Sequence, residues 1–344
     1  MPISPPIHTV DKNAQKDMRV ILEHAIAFHA IRAAVHFNIA GHLQAGPMQV
    51  AQLAQITRTN PPFLYRLLRA LSSINIFAES TSDAQTFENT EKSSMLIPGI
   101  PNSYYASISL LGLAYNTKIW QHIDYSVQTG QPAMDALYHA DLWTYLTQIQ
   151  PADGIIFNQG LQESATLVGA SVSLNYDFAS YHAIADIGGG LGGMLKLLLH
   201  DYPHLQGTLF DLPPTIAEAK KAWSTSSARE RCTFISGNFL QNFTLIADLY
   251  IFKHVLSNWS DDQCIQILRH CRATMRSTSR ILTIEEVVTP DTSHFMDLHF
   301  MVVLAGARLR TVKEYQELYE AAGLRINRII PLTMGISIVE GVSA

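Results

Sequence analysis

The chain has 344 residues, 47% of them hydrophobic and 15% charged, which is too long for one ordinary domain and too apolar for disorder. A formal net charge of -5 argues against a nucleic-acid partner, whose binding domain would be basic, and against polyanionic substrates. Cys232, Cys264 and Cys271 form no CxxC pair and leave an odd count, so neither a disulfide framework nor a metal site is expected. Residues 1–11 carry three prolines and no apolar core of the signal-peptide kind, and no segment approaches a membrane-spanning length. The expectation is a cytoplasmic protein with no membrane partner.

Over residues 11–41 apolar side chains recur at Ile21, Ala25, Phe28, Val35 and Ile39, while Leu22, Ile26 and Ala33 form a second face. A helix apolar on two faces needs two partners. A homodimer would supply the second; an ordinary buried helix would also account for it. His24, His29 and His36 lack the i, i+4 spacing of a helical metal site. Helical patterns follow at 50–56 and 61–73, the latter capped by Asn60 with prolines in its first turn. Strand-like runs at 74–78 and 87–90 around a polar turn complete a winged-helix pattern. The second helix carries Arg66 and Arg69, with Arg58 just before it, as a DNA reader would. Leu64, Leu67, Leu68 and Leu71 and the acidic balance favour a structural or dimerising unit.

Residues 104–181 are helical in pattern and rich in aromatics, among them Tyr104, Tyr115, Trp120, Trp143, Tyr145 and Phe157. Core packing accounts for most, and a few are expected to line an apolar substrate pocket. From His182 onward short apolar runs at 184–187, 207–212, 233–236, 248–255 and 281–287 alternate with helices, which demands a parallel sheet covered on both faces. The last runs, 325–332 and 335–342, are separated only by Thr333 and Met334, so they form an antiparallel hairpin at the sheet edge. The expected division is a helical, winged-helix dimerisation domain over 1–103, a linker and lid over 104–181, and an α/β Rossmann-like domain over 182–344.

In Asp186-Ile-Gly-Gly-Gly-Leu-Gly-Gly193 a buried strand ends in glycines and a helix begins. Glycine supplies the positive φ of such a turn and lets a ligand approach backbone amides that attract anions. Gly188, Gly190 and Gly193 also satisfy GxGxxG, so a dinucleotide site competes. Asp211, at the next strand end about 20 residues on, is placed for ribose hydroxyls in either case. Gly237-Asn238-Phe239 after the third strand and Lys253 at the end of the fourth favour S-adenosylmethionine.

Together Asp186-Ile-Gly-Gly-Gly-Leu-Gly, Phe210-Asp-Leu-Pro, Gly237-Asn-Phe, Lys253-His-Val-Leu-Ser-Asn-Trp-Ser-Asp-Asp262, Met296-Asp-Leu and Arg310-Thr resemble the small-molecule O-methyltransferases of the caffeate and hydroxyneurosporene type, across nearly the whole chain. The resemblance implies a class I methyltransferase domain with a terminal hairpin, a winged-helix dimerisation domain, and S-adenosylmethionine bound by Asp186, Gly188, Gly190, Asp211, Leu212, Asn238, Phe239 and Lys253. Family members usually carry aspartate where Asn238 stands. An asparagine carbonyl can still meet the adenine amino group.

Methyl transfer mainly requires positioning, and a phenol also needs a general base. The family pattern supplies it as histidine in Leu-His-Asp-Trp, oriented by two glutamates. Here that segment is Leu256-Ser257-Asn258-Trp259. Glu285 matches the first glutamate, whereas the second is replaced by Leu309 in Gly306-Ala-Arg-Leu-Arg-Thr311. Three readings follow. The enzyme methylates by proximity; or His254, His299 or His294 supplies the base, His299 being two residues past Asp297; or the chain binds the cofactor without methylating, as relatives that act as hydroxylases, decarboxylases or pericyclases do. The resemblance puts Phe157, Leu161, His254, Ser257, Trp259 and Phe300 against a small, largely apolar or aromatic secondary metabolite. His299, Glu285 and Asp297 are the expected catalytic set.

Overall fold

Residues 11–100, 103–333 and 335–344 are described by the structure, a computed structural model, and contacts divide the chain into two units, residues 1–112 and 113–344. The prolines before Asp11 and the hairpin residue Met334 lie outside the described residues.

In the first unit the Asp11 carboxylate accepts from Asn13 N–H at 2.9 Å and caps the helix Lys12–His36. The expected helix to 41 is broken, because Asn38 takes a left-handed turn at φ 49 before the short helix Ile39–His42. Only the end of the long helix is buried; Ile21, Leu22 and Ile26 are 59%, 65% and 71% exposed. Helices Val50–Thr57 and Pro61–Ser72 follow, the second capped by the Asn60 side chain on Phe63 N–H. The sheet has strands β1 (Met48–Gln49), β2 (Phe77–Glu79) and β3 (Thr86–Asn89), antiparallel in the order β1-β3-β2. The expected strand at 74–78 begins only at Phe77. Asn75 is left-handed at φ 59 and Ile76 N–H returns to Leu71 O at 2.9 Å, which spends those residues on closing the helix. Leu53, Leu64, Leu68, Phe77 and Phe87 form the core, and the helix Tyr105–Leu111 packs on Lys12–His36 within this unit. Arg66 and Arg69 lie over the rings of Phe63 and Tyr65 on their own helix.

The second unit begins with helices between Ala114 and Thr144, passes through one wide turn at Tyr145–Ile149 and continues in the long helix Pro151–Asn175. Its sheet comprises β4 (Ala183–Ile187), β5 (Gln206–Asp211), β6 (Cys232–Ser236), β7 (Leu249–Lys253), β8 (Arg280–Val288), the two-residue β9 (Arg310–Thr311), β10 (Leu324–Pro331) and β11 (Ile336–Ser343). The order is β10-β11-β8-β7-β4-β5-β6, with β9 beside the end of β8. Strands β4 to β8 run parallel, and β11 is antiparallel to both β8 and β10. β4 and β7 are apolar along nearly their whole length because both faces are covered. Val172, Leu195, Leu199 and Trp223 pack on one face, Ile267, Cys271, Tyr315 and Tyr319 on the other. The chain reverses its direction of winding between β4 and β7, and a crevice opens at the carboxyl ends of strands at such a point. Residues 113–175, expected as linker and lid, belong to this unit.

Candidate active site

The turn after β4 is built for close approach. Gly188, Gly190 and Gly192 stand at φ 68, 61 and 75, a region that side chains with Cβ enter only at a cost. A Cβ on Gly188 would lie 2.9 Å from Val255 Cγ2 and 3.2 Å from Phe239 Cε1, and one on Gly189 would lie 2.6 Å from the Asp186 carboxyl. At Gly190 nothing stands within 4 Å, so that face of the turn is open. Trp223 Nε1–H holds the turn from below by donating to Leu191 O at 2.8 Å. Helix Gly193–Asp201 starts directly after it.

Asp211 closes β5 and reaches back to the turn. Its Oδ2 accepts from Gly190 N–H at 2.8 Å and its Oδ1 from Leu212 N–H at 2.7 Å. Burial raises its carboxyl above the ordinary range, against the pull of these two amides and of Thr215. With Thr215 as a further donor, the carboxylate keeps acceptor capacity for about one more. Asn238 Oδ1 accepts from Leu240 N–H at 2.9 Å, and Phe239 meets Trp259 edge to face at 5.7 Å. Asp186 is buried under the glycines, and its Oδ1 has no hydrogen-bond partner. Burial raises its carboxyl, opposed by Lys253 and reinforced by Asp211; burial lowers Lys253, opposed by Asp186 and Glu285. An open glycine face, a ribose-ready carboxylate and an orphaned buried oxygen fit a nucleoside ligand.

Beyond Lys253 the structure brings two expected residues onto the carboxylate of a third. Glu285, near the end of β8, is wholly buried. Ser257 Oγ donates to its Oε2 at 2.9 Å and Ser257 N–H to its Oε1 at 3.3 Å. His254 Nδ1 stands 3.5 Å from the same Oε2, with the imidazole 28% exposed. His254 is itself left-handed at φ 51.

The other expected catalytic residues lie apart from this carboxylate. Asp297, on the helix Phe295–Val303, spends Oδ1 on Leu309 N–H at 2.7 Å. It anchors the segment where the family's second glutamate would be. His299 stacks on Trp120, ring centres 5.9 Å apart, and burial lowers its pKa to about 4. So weak a base is a poor proton acceptor at neutral pH, which departs from the expectation placed on it. Its Nδ1 is buried without a partner, as are Trp143 Nε1 and Asn116 Oδ1. His294 stands just before that helix, without a side-chain cap bond, and faces Glu286. Phe157, edge-on to Trp143 at 5.9 Å, and Phe300 pack into the same apolar cluster as Tyr115, Tyr145 and Leu146. Leu161 stays 38% exposed on Pro151–Asn175.

The sequence reading gave Arg310 no task, yet among the described residues it is the largest polar side chain that is fully buried. It donates to Leu256 O at 2.8 Å and Trp259 O at 2.7 Å, and holds Asp261 Oδ1 with two nitrogens. Arg308 N–H adds a bond to Ser257 O at 3.0 Å. The segment 254–261 is therefore fixed at several carbonyls. Its place in the Arg310-Thr motif was the only hint in the sequence.

A family model described as the O-methyltransferase domain matches residues 120–325, and one described as the O-methyltransferase dimerisation domain matches residues 20–99. The mitomycin biosynthesis 6-O-methyltransferase of Streptomyces lavendulae is 31% identical over 331 residues, covering 95% of this chain and 94% of that protein. The aclacinomycin 10-hydroxylase of Streptomyces purpurascens is 29% identical over 305 residues, 86% of this chain and 81% of that protein. Among solved structures, mitomycin 7-O-methyltransferase superposes with a TM-score of 0.87 at 29% identity, covering 96% of this chain and 98% of that one.

Proposed function

This chain belongs to the O-methyltransferase family, and from that premise we propose that it moves the methyl group of S-adenosylmethionine onto an oxygen, or a nitrogen in its place, of a flat, largely apolar natural product. Relatives are named for mitomycin, a phenazine and 3-amino-4-hydroxybenzoate. The observation that carries the reading is the cradle itself, a left-handed glycine turn over Asp186 with Asp211 pinned at its rim.

The cofactor supplies a methyl group on a positively charged sulfur. Around it, the chain's residues bind and orient. Gly188 and Gly190 admit the ligand to the backbone, and Asp211 accepts from a ribose hydroxyl with its remaining acceptor capacity. The Asn238 side chain and the Phe239 ring take the base, beside Leu212. Lys253 and Asp186 form the polar floor. Phe157, Trp259 and Phe300 offer apolar surface to the substrate, and neutral His299 offers it a hydrogen bond through the unpartnered Nδ1. The enzyme acts as a homodimer through the first unit, where the exposed Leu22 and Ile26 meet a second copy.

Calorimetry with S-adenosylhomocysteine tests this. One site per chain is expected, with binding abolished in Asp211→Ala. An unchanged isotherm in that variant would remove Asp211 from the site.

Serine at 257 and leucine at 309 support a second reading, cofactor-assisted catalysis without methyl transfer, which has a named counterpart in the aclacinomycin hydroxylase. There the sulfonium charge would polarise a substrate carbonyl. The two readings part on whether S-adenosylhomocysteine forms in step with product.

A further inference from the structure

Glu285 is buried, and its carboxylate is shared between Ser257 and His254. Serine cannot accept a proton near neutral pH, so the family's usual base position is chemically silent. We propose, resting on the methyl-transfer reading, that His254 has taken over as the proton acceptor, with Glu285 and Asn258 as its positioning residues.

Four observations converge on His254. The register of β7 with β8 pairs Lys253 with Ile284, so residue 254 falls beside Glu285, and His254 N–H donates to Ile284 O at 3.0 Å. Second, the backbone at His254 is left-handed, φ 51. Histidine enters this region more readily than most residues, so the turn that sets the ring beside Glu285 is held at modest cost. Third, Asn258 Nδ2–H donates to His254 O at 2.8 Å and fixes the turn. The family pattern has aspartate at this position, and an ionised carboxylate has no proton to donate to a carbonyl. Ser257 and Asn258 thus form one linked departure: the first removes a base, and the second braces its replacement. Fourth, Nδ1 faces Glu285 at 3.5 Å while the ring keeps solvent access. Such distances commonly tighten when substrate binds.

With Nδ1–H directed at Glu285, Nε2 carries the free lone pair, as in other carboxylate-oriented histidines. The substrate O–H gives its proton to Nε2 as the oxygen's electron pair forms the bond to the methyl carbon. The carbon–sulfur bond breaks with its pair retained on sulfur. One positive charge disappears at sulfur and one appears on the imidazole beside the Glu285 carboxylate; water later takes the proton. The charged group facing His254 is Glu285 from β8, and the adjacent Lys253 is itself held between Glu285 and Asp186 of β4.

The test has two arms. In the first, nitrogen-15 histidine spectra of the full-length protein are recorded with S-adenosylhomocysteine, His254 being assigned by its absence in His254→Asn. Asparagine tolerates positive φ, so this variant keeps the backbone. The Nδ1–H tautomer is expected in the wild type, and a mixture in Glu285→Gln. An Nε2–H tautomer, or no response to Glu285→Gln, overturns the pairing. In the second arm, a panel of naphthols and hydroxynaphthoquinones is methylated by wild type and His254→Asn. Un-ionised naphthols are expected to lose at least about 100-fold in kcat, the contribution of a general base, while hydroxynaphthoquinones already anionic at the assay pH lose little, and the acidic limb of the pH profile flattens. Equal losses for both classes overturn the assignment alone. No S-adenosylhomocysteine from the wild type across the panel overturns the methyl-transfer reading, and the tautomer spectra then decide the pairing by themselves.

Discussion

Replacing Gly190 by alanine separates folding from cofactor binding. The residue sits at φ 61, and a Cβ there meets no protein atom within 4 Å. Only the backbone conformation opposes the change, at roughly 1–2 kcal/mol for a side chain in the left-handed region. Gly323 is an internal control, with φ 74 and likewise nothing within 4 Å, at the turn between the helix Val312–Ala321 and β10. Urea unfolding of Gly190→Ala and Gly323→Ala is therefore expected to give similar losses, about 1–2 kcal/mol each. Calorimetry with S-adenosylhomocysteine is expected to distinguish them. A methyl group at Gly190 projects into the space assigned to the nucleoside and weakens binding at least about tenfold, equivalent to about 1.4 kcal/mol, whereas Gly323→Ala binds as the wild type does. Equal affinities in the two variants would refute the placement of the ligand against the turn.

Burial lowers His299 from 6.5 to about 4, so between those values the unfolded chain binds a proton that the folded chain does not. Stability from this group is present above pH 6.5 and lost as pH falls toward 4, by at most about 3 kcal/mol. His299→Phe, which keeps the stacking on Trp120, is expected to flatten that part of the wild-type stability–pH curve, read by urea unfolding at each pH. Arg310→Met takes the charged donor from the carbonyls of Leu256 and Trp259 and leaves them the Cys264 thiol and, at Leu256, Trp259 N–H. A loss of about 2–5 kcal/mol is expected from the two lost bonds to a charged donor, with faster proteolysis near residues 254–261. Ile26→Glu, on the exposed apolar face of Lys12–His36, is expected to shift the protein toward monomer in sedimentation experiments while cofactor affinity holds.

The strands most legible from sequence are those covered on both faces. β4, β5, β7 and β8 read as short, largely apolar runs, and their expected ends fall within about two residues of the observed ones. β1 and β9, of two residues each, are too short to leave a pattern. The break at Asn38 escaped because the apolar spacing continues through it, and a single left-handed residue changes direction without changing composition. Within the site, the glycines and Asp211 were visible because their work depends on backbone conformation and strand ends, which local sequence determines. His254 and His299 were not distinguishable. His299 drew attention through its neighbour Asp297, yet Asp297 proves to be tied to Leu309 N–H and His299 to be an uncharged ring on Trp120. His254 gains its place from the β7–β8 register and a positive φ, both tertiary properties. The tethers from Arg310 and Trp223 depend on contacts across 32 to 54 residues of chain, beyond any local pattern.

Transfer of the methyl group itself is tested most directly with S-adenosylmethionine carrying a deuterated methyl. The protein is incubated with it and with the naphthol and hydroxynaphthoquinone panel, and one quenched sample is read by mass spectrometry for product and S-adenosylhomocysteine together. Labelled product and S-adenosylhomocysteine in equal amounts are expected. Substrate conversion with no label in the product and no S-adenosylhomocysteine would contradict methyl transfer and leave the cradle of Gly188, Gly190 and Asp211 serving another reaction.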